Sequence, residues 1–407
     1  MAIRIAVIGG QSDILRAAAH YGLDTVLFHA PGKAGPDSAE LCEQVVDVDL
    51  LDEEAIAAEV RRAHADRPFR RVLTLTEPGL LPAARLNAEL GLGGNSPRTV
   101  ELLKDKSAMR LLLADTGLSP VRHRVVQGAD ELAAFVDGLG GPAIIKPLDH
   151  GGSADVQRIE GPADADAAWR EVKRVGRSRM LAEEYLEGSE ISLEAFSVAG
   201  RHTVVAITDK LLGPRFIEFG QAVPAELGPE LTEASIALTQ RLLDAAGLVE
   251  GPSHTELKLT PAGPRIVESH NRTGGDSIPE LVELAYGVDL VRMAVGLPLE
   301  LETWDHAVPP AKGGAAIRFI EADPGTVTAV RRPTAERDGV SIALKATEGT
   351  VVPPLTWSVD RVCGHVIATG RSAAEAIERC ELTLRDIDVV TAPAPAPAPA
   401  PAQGVRP

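Results

Sequence analysis

The sequence predicts an α/β fold, and three patterns indicate it. Short β-branched runs alternate with helical segments near the N-terminus. A glycine-rich loop follows a strand that ends near residue 146. Two further strands, at residues 254–260 and 265–269, are joined by a Pro-Ala-Gly-Pro turn. Alternation of strands and helices builds a parallel sheet with helices on its faces. A chain of 407 residues has room for about two to four domains.

The first segment predicts a small parallel sheet. Its expected elements are strands at residues 4–8, 24–28 and 71–75 and helices at 12–21 and 52–65. A glycine turn at residues 9–12 leads from the first strand into the first helix. It lacks the full Gly-x-Gly-x-x-Gly fingerprint, so a tight turn explains it better than a dinucleotide site.

The rest of the chain predicts two further α/β units and a tail. A helix at 99–116 is closed by Gly117. The expected elements that follow are strands at 122–126, 143–146 and 180–185, helices at 130–139 and 164–175, a meander at 190–208, a helix at 231–246 and the strand pair at 254–269. Residues 313–389 predict short strands and a helix at 373–381. The Ala-Pro alternation of residues 392–402 predicts a disordered tail.

Composition excludes several classes of function. The hydrophobic content of 44% and the charged content of 24% are those of an ordinary globular protein. The net charge of −17 argues against nucleic-acid binding and against attachment to an anionic membrane. No apolar run approaches the length of about 20 residues that spans a bilayer. A cytoplasmic protein is expected.

Two lysines and a glycine-rich loop predict a phosphate site. Lys106 lies near a helix start, and Lys146 ends a strand five residues before Gly151, Gly152 and Ser153. A glycine turn lets backbone N–H groups approach phosphate oxygens, and a nearby ammonium neutralises their charge. The alternative for each lysine alone is an ordinary surface side chain.

The acidic stretch at residues 183–190 predicts a nucleoside site. Tyr185 and Leu186 could form an apolar slot for a base, and Glu190 could accept ribose hydroxyls. Glutamate-rich turns are common, so this pattern alone is weak.

Two strands carry polar side chains on one face. His254, Glu256 and Lys258 alternate with apolar residues, as do Glu268, His270 and Arg272 in the next strand. The turn between the strands places Glu256 and Glu268 opposite each other or one residue apart. Two such carboxylates repel unless a cation lies between them, and magnesium prefers oxygen ligands. The alternative is a solvated hairpin with unpaired acids.

Together these residues resemble the ATP-grasp superfamily, and within it the carboxylate–amine ligases that include L-amino-acid ligases. The resemblance covers residues 3–390 and is sharpest at residues 105–110, 144–147, 183–190 and 256–276. It implies an ATP-grasp fold with an N-terminal Rossmann-like domain. The expected divisions are a pre-ATP-grasp domain (1–100), a small subdomain with the phosphate loop (101–188), a large subdomain with the metal site (189–300), a C-terminal α+β subdomain (301–390) and a tail (391–407).

The resemblance also implies roles for individual residues. Lys106 and Lys146 would bind the ATP phosphates, and Gly151, Gly152 and Ser153 would close over them. Glu183 with the backbone of Tyr185 and Leu186 would hold adenine, and Glu190 the ribose. Glu256 and Glu268 would ligate Mg²⁺, or Mn²⁺ in its place, and Arg272 would stabilise the transferred phosphoryl group.

Two positions depart from the family pattern. The metal strand usually reads Glu-x-Asn-x-Arg, and here His270 stands in the Asn position. His270 could therefore bind metal, orient an acid or contact substrate. Asp155 occupies a position that is usually glycine in the phosphate loop. A carboxylate facing phosphate would be repelled, so we expect the Asp155 side chain to point away from the cleft.

The implied reaction is ATP-dependent joining of a carboxylate to an amine through an acyl phosphate, with two small amino-acid-like partners. The substrates are expected between the loop after Arg272, residues 209–221 and residues 74–77. Glu218, Gly274, Gly275 and Asp276 are candidate substrate contacts. The alternatives are a purine-pathway or carboxylase relative that uses formate or bicarbonate, and a nucleotide-binding protein without turnover. A homodimer is compatible with the resemblance.

Overall fold

The computed structural model describes residues 2–10, 12–148, 151–333 and 337–393. Its strands form four sheets, and each sheet carries helices or loops that bury one of its faces. The α/β class predicted from the sequence is confirmed. Among the described residues, no helix is both long enough and apolar enough to cross a bilayer.

The N-terminal unit is a parallel sheet with strand order β3-β2-β1-β4. Its elements are β1 (Arg4–Ile8), α1 (Ser12–His20), β2 (Asp24–His29), α2 (Ser38–Leu41), β3 (Gln44–Asp47), α3 (Glu53–Asp66), β4 (Arg71–Leu73) and α4 (Glu77–Glu89). Every residue of β1 is buried, as expected for a central parallel strand. Helix α2 and strand β3 were not expected from the sequence. Helix α4 was not expected either, because Pro78 and Gly79 in its first turn resemble a loop. Proline is compatible with that position since the first helical N–H groups have no partner within the helix.

The single helix expected at residues 99–116 is wrong. Two helices occupy this region, α5 (Pro97–Lys104) and α6 (Lys106–Asp115). Asp105 separates them and adopts an extended conformation. Its carboxylate accepts hydrogen bonds from the backbone N–H groups of Ser107 and Ala108, which caps α6. This break places Lys106 at the first position of α6.

A small antiparallel sheet follows, with strand order β5-β8-β6-β7. Its elements are β5 (His123–Val126), α7 (Ala129–Leu139), β6 (Ala143–Lys146), β7 (Gln157–Ile159), α8 (Ala165–Arg174) and β8 (Met180–Glu184). The two helices cover one face and build a core that includes Trp169 and Met180. The glycine-rich loop connects β6 to β7 at the opposite side of this core.

The largest sheet has eight antiparallel strands in the order β13-β12-β9-β10-β11-β14-β18-β16, and a three-stranded sheet, β17-β15-β19, lies beside it. The elements are β9 (Ser189–Val198), β10 (Arg201–Leu212), β11 (Glu218–Val223), α9 (Pro229–Ala246), β12 (Gly251–Thr260), β13 (Gly263–His270), α10 (Ile278–Tyr286), α11 (Leu290–Gly296), β14 (Gly314–Phe319), β15 (Gly325–Arg331), β16 (Val340–Leu344), β17 (Val351–Val352), β18 (Gly364–Gly370), α12 (Ala373–Leu384) and β19 (Asp388–Ala392).

The eight-stranded sheet continues across residue 300. Strand β14 pairs with β11 and also with β18, so residues before and after the expected subdomain boundary share one sheet. Ile317 and Phe319 of β14 belong to the same core as Val223 and Leu281. The last strand ends at Ala392, two residues inside the segment expected as a tail. The remainder of that segment, residues 394–407, lies outside the described residues.

Candidate active site

A cleft with an empty volume of about 830 Å³ lies between the small antiparallel sheet and the eight-stranded sheet. Predicted site residues that line it are Lys106, Lys146, Gly151, Gly152, Ser153, Glu183, Tyr185, Leu186, Glu190, Glu218, Glu256 and Glu268. Residues separated by up to 162 positions in the sequence are therefore brought into one cavity.

Two carboxylates face each other at the base of this cleft. Glu256 in β12 pairs directly with Glu268 in β13, which settles the register left open by the sequence. Each carboxylate is balanced by an ammonium group, since Lys210 binds Glu256 and Lys106 lies 3.0 Å from Glu268. Burial would raise the pKa of Glu268, but Lys106, His270 and Lys146 together outweigh it and hold the pKa well below its usual range.

A buried triad of charges supports the second phosphate lysine. Lys146 Nζ lies 2.8 Å from Glu183 Oε2, and the Arg110 guanidinium binds the other oxygen of Glu183. Burial would raise the pKa of Glu183, yet the two cations beside it lower that pKa to about 2. Arg110 also donates to the carbonyl oxygens of Ile266 and Val267, at 2.6 Å and 3.0 Å. Glu183 therefore fixes Lys146 at the rim of the cleft.

Lys210 lies at the centre of a cluster that the sequence analysis missed. Its Nζ lies 3.0 Å from Glu190 Oε1 and 3.2 Å from Glu218 Oε1, and it binds Glu256. Lys258 lies 3.3 Å from the second oxygen of Glu190. Burial would lower the pKa of Lys210, but the three carboxylates raise it well above its usual value.

Glu218 occupies the same cluster but keeps one oxygen unbonded. Burial raises the pKa of Glu218; Lys210 opposes that rise, while the carboxylates of Glu256 and Asp276 add to it. Its Oε2 is buried and has no hydrogen-bond partner in the structure. The predicted substrate contact is thus a buried acceptor at the wall of the cleft.

A buried histidine, His254, connects Glu256 to Glu194 and so helps to hold Glu256 in position. His254 Nδ1 lies 2.9 Å from Glu194 Oε1, and its Nε2 lies 3.2 Å from Glu256 Oε1. Burial would lower the pKa of His254, but the carboxylates of Glu194 and Glu256 together outweigh it and raise the pKa to about 9. Ser192 donates to Glu194 at 2.7 Å, which completes this support.

His270 and Arg272 lie beside the cleft and outside its lining. His270 Nε2 lies 3.1 Å from Glu268 Oε1, and its Nδ1 faces Glu77 Oε2 at 3.5 Å. Arg272 Nε donates to Glu77 at 2.9 Å. Of the three roles left open for His270, orientation of an acid matches these contacts, since the imidazole connects Glu268 to the start of α4.

The phosphate loop is held by other parts of the chain. Gly152 has a left-handed φ of +68°, and its carbonyl oxygen accepts a hydrogen bond from Ser358 N at 3.0 Å. Ser153 Oγ donates to the carbonyl oxygen of Phe216 at 2.7 Å. Asp155 turns to Arg177, with Nε and Oδ2 2.7 Å apart, so its carboxylate does not line the cleft, as expected.

The adenine end predicted from the sequence is lined by aromatic and apolar side chains. Tyr185 and Leu186 face Phe216 across the cleft, and the Tyr185 and Phe216 rings are 6.5 Å apart. Arg158 stacks on the Tyr185 ring at 4.1 Å. The adjacent Glu184 is turned outward to Arg122, at 2.9 Å. An apolar slot with a polar rim suits a planar base.

Three of the four predicted substrate contacts lie close to the cleft but outside its lining. They are Gly274, Gly275 and Asp276, and we call this segment the substrate wall. Asp276 forms two contacts of 2.7 Å with one amino group of Arg361, and Gln221 donates to it at 3.4 Å. Gly274 lies against His254, where a Cβ atom would come within 2.9 Å of Nδ1. Gly275 is exposed, and a Cβ there would meet nothing. Asp276 is therefore neutralised by an arginine that the sequence analysis did not single out.

Three members of this site had no role in the sequence analysis. Lys210 falls two residues past the expected end of the meander, although a lysine inside an apolar strand is itself unusual. Glu194 and Arg361 likewise carry no motif. Lys210 meets Glu256 across 46 residues, Glu194 meets His254 across 60 and Arg361 meets Asp276 across 85. Only the folded sheet brings these pairs together.

The predicted metal ligands are Glu256, Glu268 and His270. In the described part of the chain, no group of three or more His, Cys, Asp or Glu side chains is placed to hold a metal ion. The predicted set of Glu256, Glu268 and His270 is therefore not preassembled. Two facing carboxylates in a cleft that lysines also line nevertheless fit magnesium, which uses one or two protein carboxylates and completes its shell with water and substrate phosphate oxygens.

A cleft lined by two lysines, a glycine loop and facing carboxylates is typical of enzymes that transfer the γ-phosphoryl group of ATP. Three family models match the chain in order. The ATP-grasp N-terminal domain matches residues 15–94, the ATP-grasp domain residues 139–280, and the L-amino acid ligase C-terminal domain 2 residues 318–392. The chain belongs to the ATP-grasp family, in its L-amino-acid-ligase-like group.

Individual relatives agree with this assignment. The chain is 28% identical to carnosine synthase 1 of Homo sapiens over 75% of its own length, and 24% identical to alanine–anticapsin ligase of Bacillus subtilis over 71%. A crystal structure of L-amino acid ligase from Bacillus licheniformis superposes with a TM-score of 0.82 at 22% identity, over 96% of this chain and 99% of that one. The predicted ATP-grasp fold is confirmed. The matched part of the chain spans 40% and 63% of the lengths of the two curated relatives.

Proposed function

We propose that this protein is an ADP-forming carbon–nitrogen ligase that joins the carboxylate of one amino-acid-like molecule to the amine of another. One observation carries the proposal most directly. Glu256 and Glu268 face each other in register at the base of a cleft whose rim holds Lys106, Lys146 and a glycine-rich loop. The match of residues 318–392 to a C-terminal domain of L-amino acid ligases supports the amine-joining branch of the family.

The reaction requires positioning and charge neutralisation more than a protein nucleophile. A carboxylate oxygen attacks the γ-phosphorus of ATP, the bond to the β-phosphate oxygen breaks, and ADP leaves. The amine nitrogen then attacks the acyl carbon and loses a proton as inorganic phosphate departs. Lys106 and Lys146 supply positive charge along the phosphates, and Arg272 is assigned to the transferred group.

Glu256 and Glu268 would hold Mg²⁺, with Mn²⁺ as an alternative, and the ion would neutralise charge that develops on the phosphate oxygens. His254 and Lys210 orient Glu256 by the contacts described above. His270 and Lys106 do the same for Glu268. Replacing the contact between Lys106 and Glu268 by a divalent ion would leave the Lys106 ammonium available to the phosphates.

The nucleoside would lie against Tyr185, Leu186 and Phe216, with Glu183 at the inner end of that slot. Glu190 is assigned to the ribose, although Lys210 and Lys258 already bind both of its oxygens. Glu218 with Gly274, Gly275 and Asp276 is assigned to the substrates. The protein would act in the cytoplasm on small molecules, and a homodimer remains part of the proposal.

The decisive experiment is an ADP-release screen over paired amino acids, with mass spectrometry of the products. Amide formation that requires both partners and ATP is the expected result. Turnover with formate or bicarbonate and not with amino-acid pairs would replace the proposal by a purine-type or carboxylase-type activity. Nucleotide binding without ADP release under any pairing would indicate a protein without turnover.

A further inference from the structure

A short turn from the C-terminal part of the chain, residues 356–361, lies against the rim of the cleft; we call it the clasp. Asp360 organises it from within. Its Oδ2 accepts hydrogen bonds from the backbone N–H of Thr356 at 2.7 Å and of Trp357 at 3.2 Å, and its Oδ1 accepts from the Trp357 indole at 3.1 Å. The clasp therefore has a defined shape that does not depend on the cleft.

One end of the clasp holds the phosphate loop. The backbone N–H of Ser358 donates to the carbonyl oxygen of Gly152. Ser153, the next residue of that loop, donates in turn to Phe216 on the opposite rim. The phosphate loop is thus attached on both sides, to the clasp and to the segment that precedes β11.

The other end of the clasp holds the substrate wall. One amino group of Arg361 binds both oxygens of Asp276, and the other donates to the carbonyl oxygen of Glu218 at 3.0 Å. The guanidinium lies 3.8 Å over the Phe319 ring, and only 9% of the side chain is exposed. A planar fork with several donors can make these contacts together, and a lysine cannot.

The three rim segments that meet at the clasp share an unusual backbone. Each contains non-glycine residues in the left-handed region, where side chains are strained: Ser153, Asp155, Arg215, Phe216, Asp276 and Ser277. Such conformations persist only where surrounding contacts impose them, and they concentrate at ligand clamps and switch regions. If the contacts that impose the left-handed backbone were lost, these loop residues would relax to unstrained backbone conformations.

We propose that the clasp couples the substrate wall to the phosphate loop, and that Arg361 is the positioning residue that keeps the cleft closed to water while the acyl phosphate exists. The inference rests on the proposed ligase function. Water that enters would attack the acyl carbon and break its bond to the phosphate oxygen. The carboxylic acid and phosphate would be released, so ATP would be consumed without an amide. Closing a site over a reactive intermediate prevents this side reaction.

The test compares Arg361→Lys and Asp276→Asn with the wild-type protein. The lysine variant keeps the charge and much of the aliphatic stem, and the asparagine variant removes the partner charge. We expect the ratio of ADP released to amide formed to rise by about tenfold in both variants. A misplacement of about 1 Å in an active site can cost about a hundredfold in rate, so a tenfold change corresponds to a smaller shift. Arg371→Lys is the matched control, because the Arg371 side chain is 92% exposed and, in the part of the chain that the structure describes, forms its ion pair with Glu375 alone.

Hydrogen exchange supplies a readout that does not need activity. The amide proton of Ser358 is bound to Gly152 in the closed rim, and we expect it to exchange at least about tenfold faster in Arg361→Lys than in the wild type or in Arg371→Lys. An unchanged ratio of ADP to amide overturns the proposal, even with faster exchange, since the clasp would then not exclude water. A changed ratio with unchanged exchange also overturns it, because Arg361 would then act on the substrate directly.

The two proposals fail in different ways. If the wild-type protein releases no ADP with any pair of amino acids, the ligase function fails. Exchange at Ser358 then still decides whether Arg361 holds the phosphate loop. If the wild-type protein makes an amide and both variants behave like Arg371→Lys, the ligase function stands and the clasp is refuted.

Discussion

At the scale of single residues, the cleft is built from ion pairs whose members are buried together. Glu183 illustrates the consequence. Its side chain is 6% exposed and lies between Arg110 and Lys146, so removal of its charge would leave two buried cations without a counter-ion. Breaking such a pair costs more than the pair itself contributes, because the remaining charge stays desolvated.

We predict that Glu183→Gln lowers the free energy of unfolding by about 3 kcal/mol at pH 7, from the fall of its pKa to about 2. A depressed carboxyl pKa adds stability above the unfolded value of 4.5 and loses it as the pH falls through the folded value. The difference between wild type and variant should therefore be constant above about pH 4.5 and shrink toward pH 2. Urea unfolding at several pH values measures it.

Glu184→Gln is the matched control for this measurement. The neighbouring carboxylate points outward and pairs with Arg122, whose side chain is 58% exposed. Exposed pairs contribute at most about 1 kcal/mol. If Glu184→Gln lowered the free energy of unfolding as much as Glu183→Gln does, the stabilising role of the buried contacts of Glu183 with Arg110 and Lys146 would be contradicted.

Arg272→Met should lower the rate of turnover by about a hundredfold or more while leaving ATP affinity nearly unchanged, because the charge acts on the transition state. Arg272 contacts Glu77, which remains close to His270 in the variant. Single-turnover rates and ATP titration separate the two effects. Arg265→Met, in the strand that ends just before Arg272, is the control, since within the described ranges the Arg265 side chain donates to no group but the carbonyl oxygen of Pro264. A large loss of ATP affinity in Arg272→Met would refute its assigned role.

At the scale of elements, the phosphate loop depends on the absence of a side chain at Gly152. A Cβ atom there would lie 2.4 Å from Ser358 Oγ, and the backbone is left-handed. A methyl group there would require the Ser358 hydroxyl to rotate away, since the next atom, Ser358 Cβ, lies at an ordinary 3.6 Å. Packing and backbone conformation therefore both favour glycine at this position.

We predict that Gly152→Ala raises the KM for ATP by about tenfold, which corresponds to the loss of roughly one well-placed hydrogen bond to phosphate. Steady-state kinetics with ATP as the varied substrate measure it. Gly176→Ala is the control, because Gly176 has a φ of +77° and open space around it. The Gly176→Ala variant therefore measures the effect of the left-handed backbone alone. If both variants raised the KM for ATP equally, the contact with Ser358 would be excluded as the cause.

At the scale of the whole molecule, the C-terminal segment is part of the central sheet. Strand β14 covers the edge of β11 and contributes Ile317 and Phe319 to the shared core. Each large apolar side chain buried there stabilises the fold by about 1.5–3 kcal/mol. A chain that ends before β14 would also leave the N–H and C=O groups of β11 unpaired.

We therefore predict that residues 1–311 alone are insoluble or lack a cooperative thermal transition. Residues 1–393 should melt like the full chain, since the truncation removes only the alanine- and proline-rich segment beyond Pro393. Soluble yield and circular dichroism on heating compare the two. Cooperative unfolding of 1–311 at the temperature of the full chain would show that residues 301–390 form an independent unit.

Much of this molecule follows from local sequence. Three of the four strands of the first sheet, the glycine loop after Lys146 and the closeness of Glu256 and Glu268 to within one residue were predictable, because each depends on neighbours in the chain or on a hairpin turn. The break at Asp105 was missed since capping by a side chain interrupts a helical pattern without disturbing its periodicity. Helix α4 was missed because its first turn contains proline and glycine.

The sequence by itself determined the α/β class, the family and the chemical character of the site, since these depend on periodicity and on motifs with short spacing. Tertiary structure alone decided the partners of those groups. Lys210 meets Glu256 across 46 residues and Arg361 meets Asp276 across 85. Such contacts arise from the order of strands in the sheet and from the loops that close over it. Burial then makes these ion pairs important for stability, because a charge removed from water requires a partner wherever in the chain that partner lies.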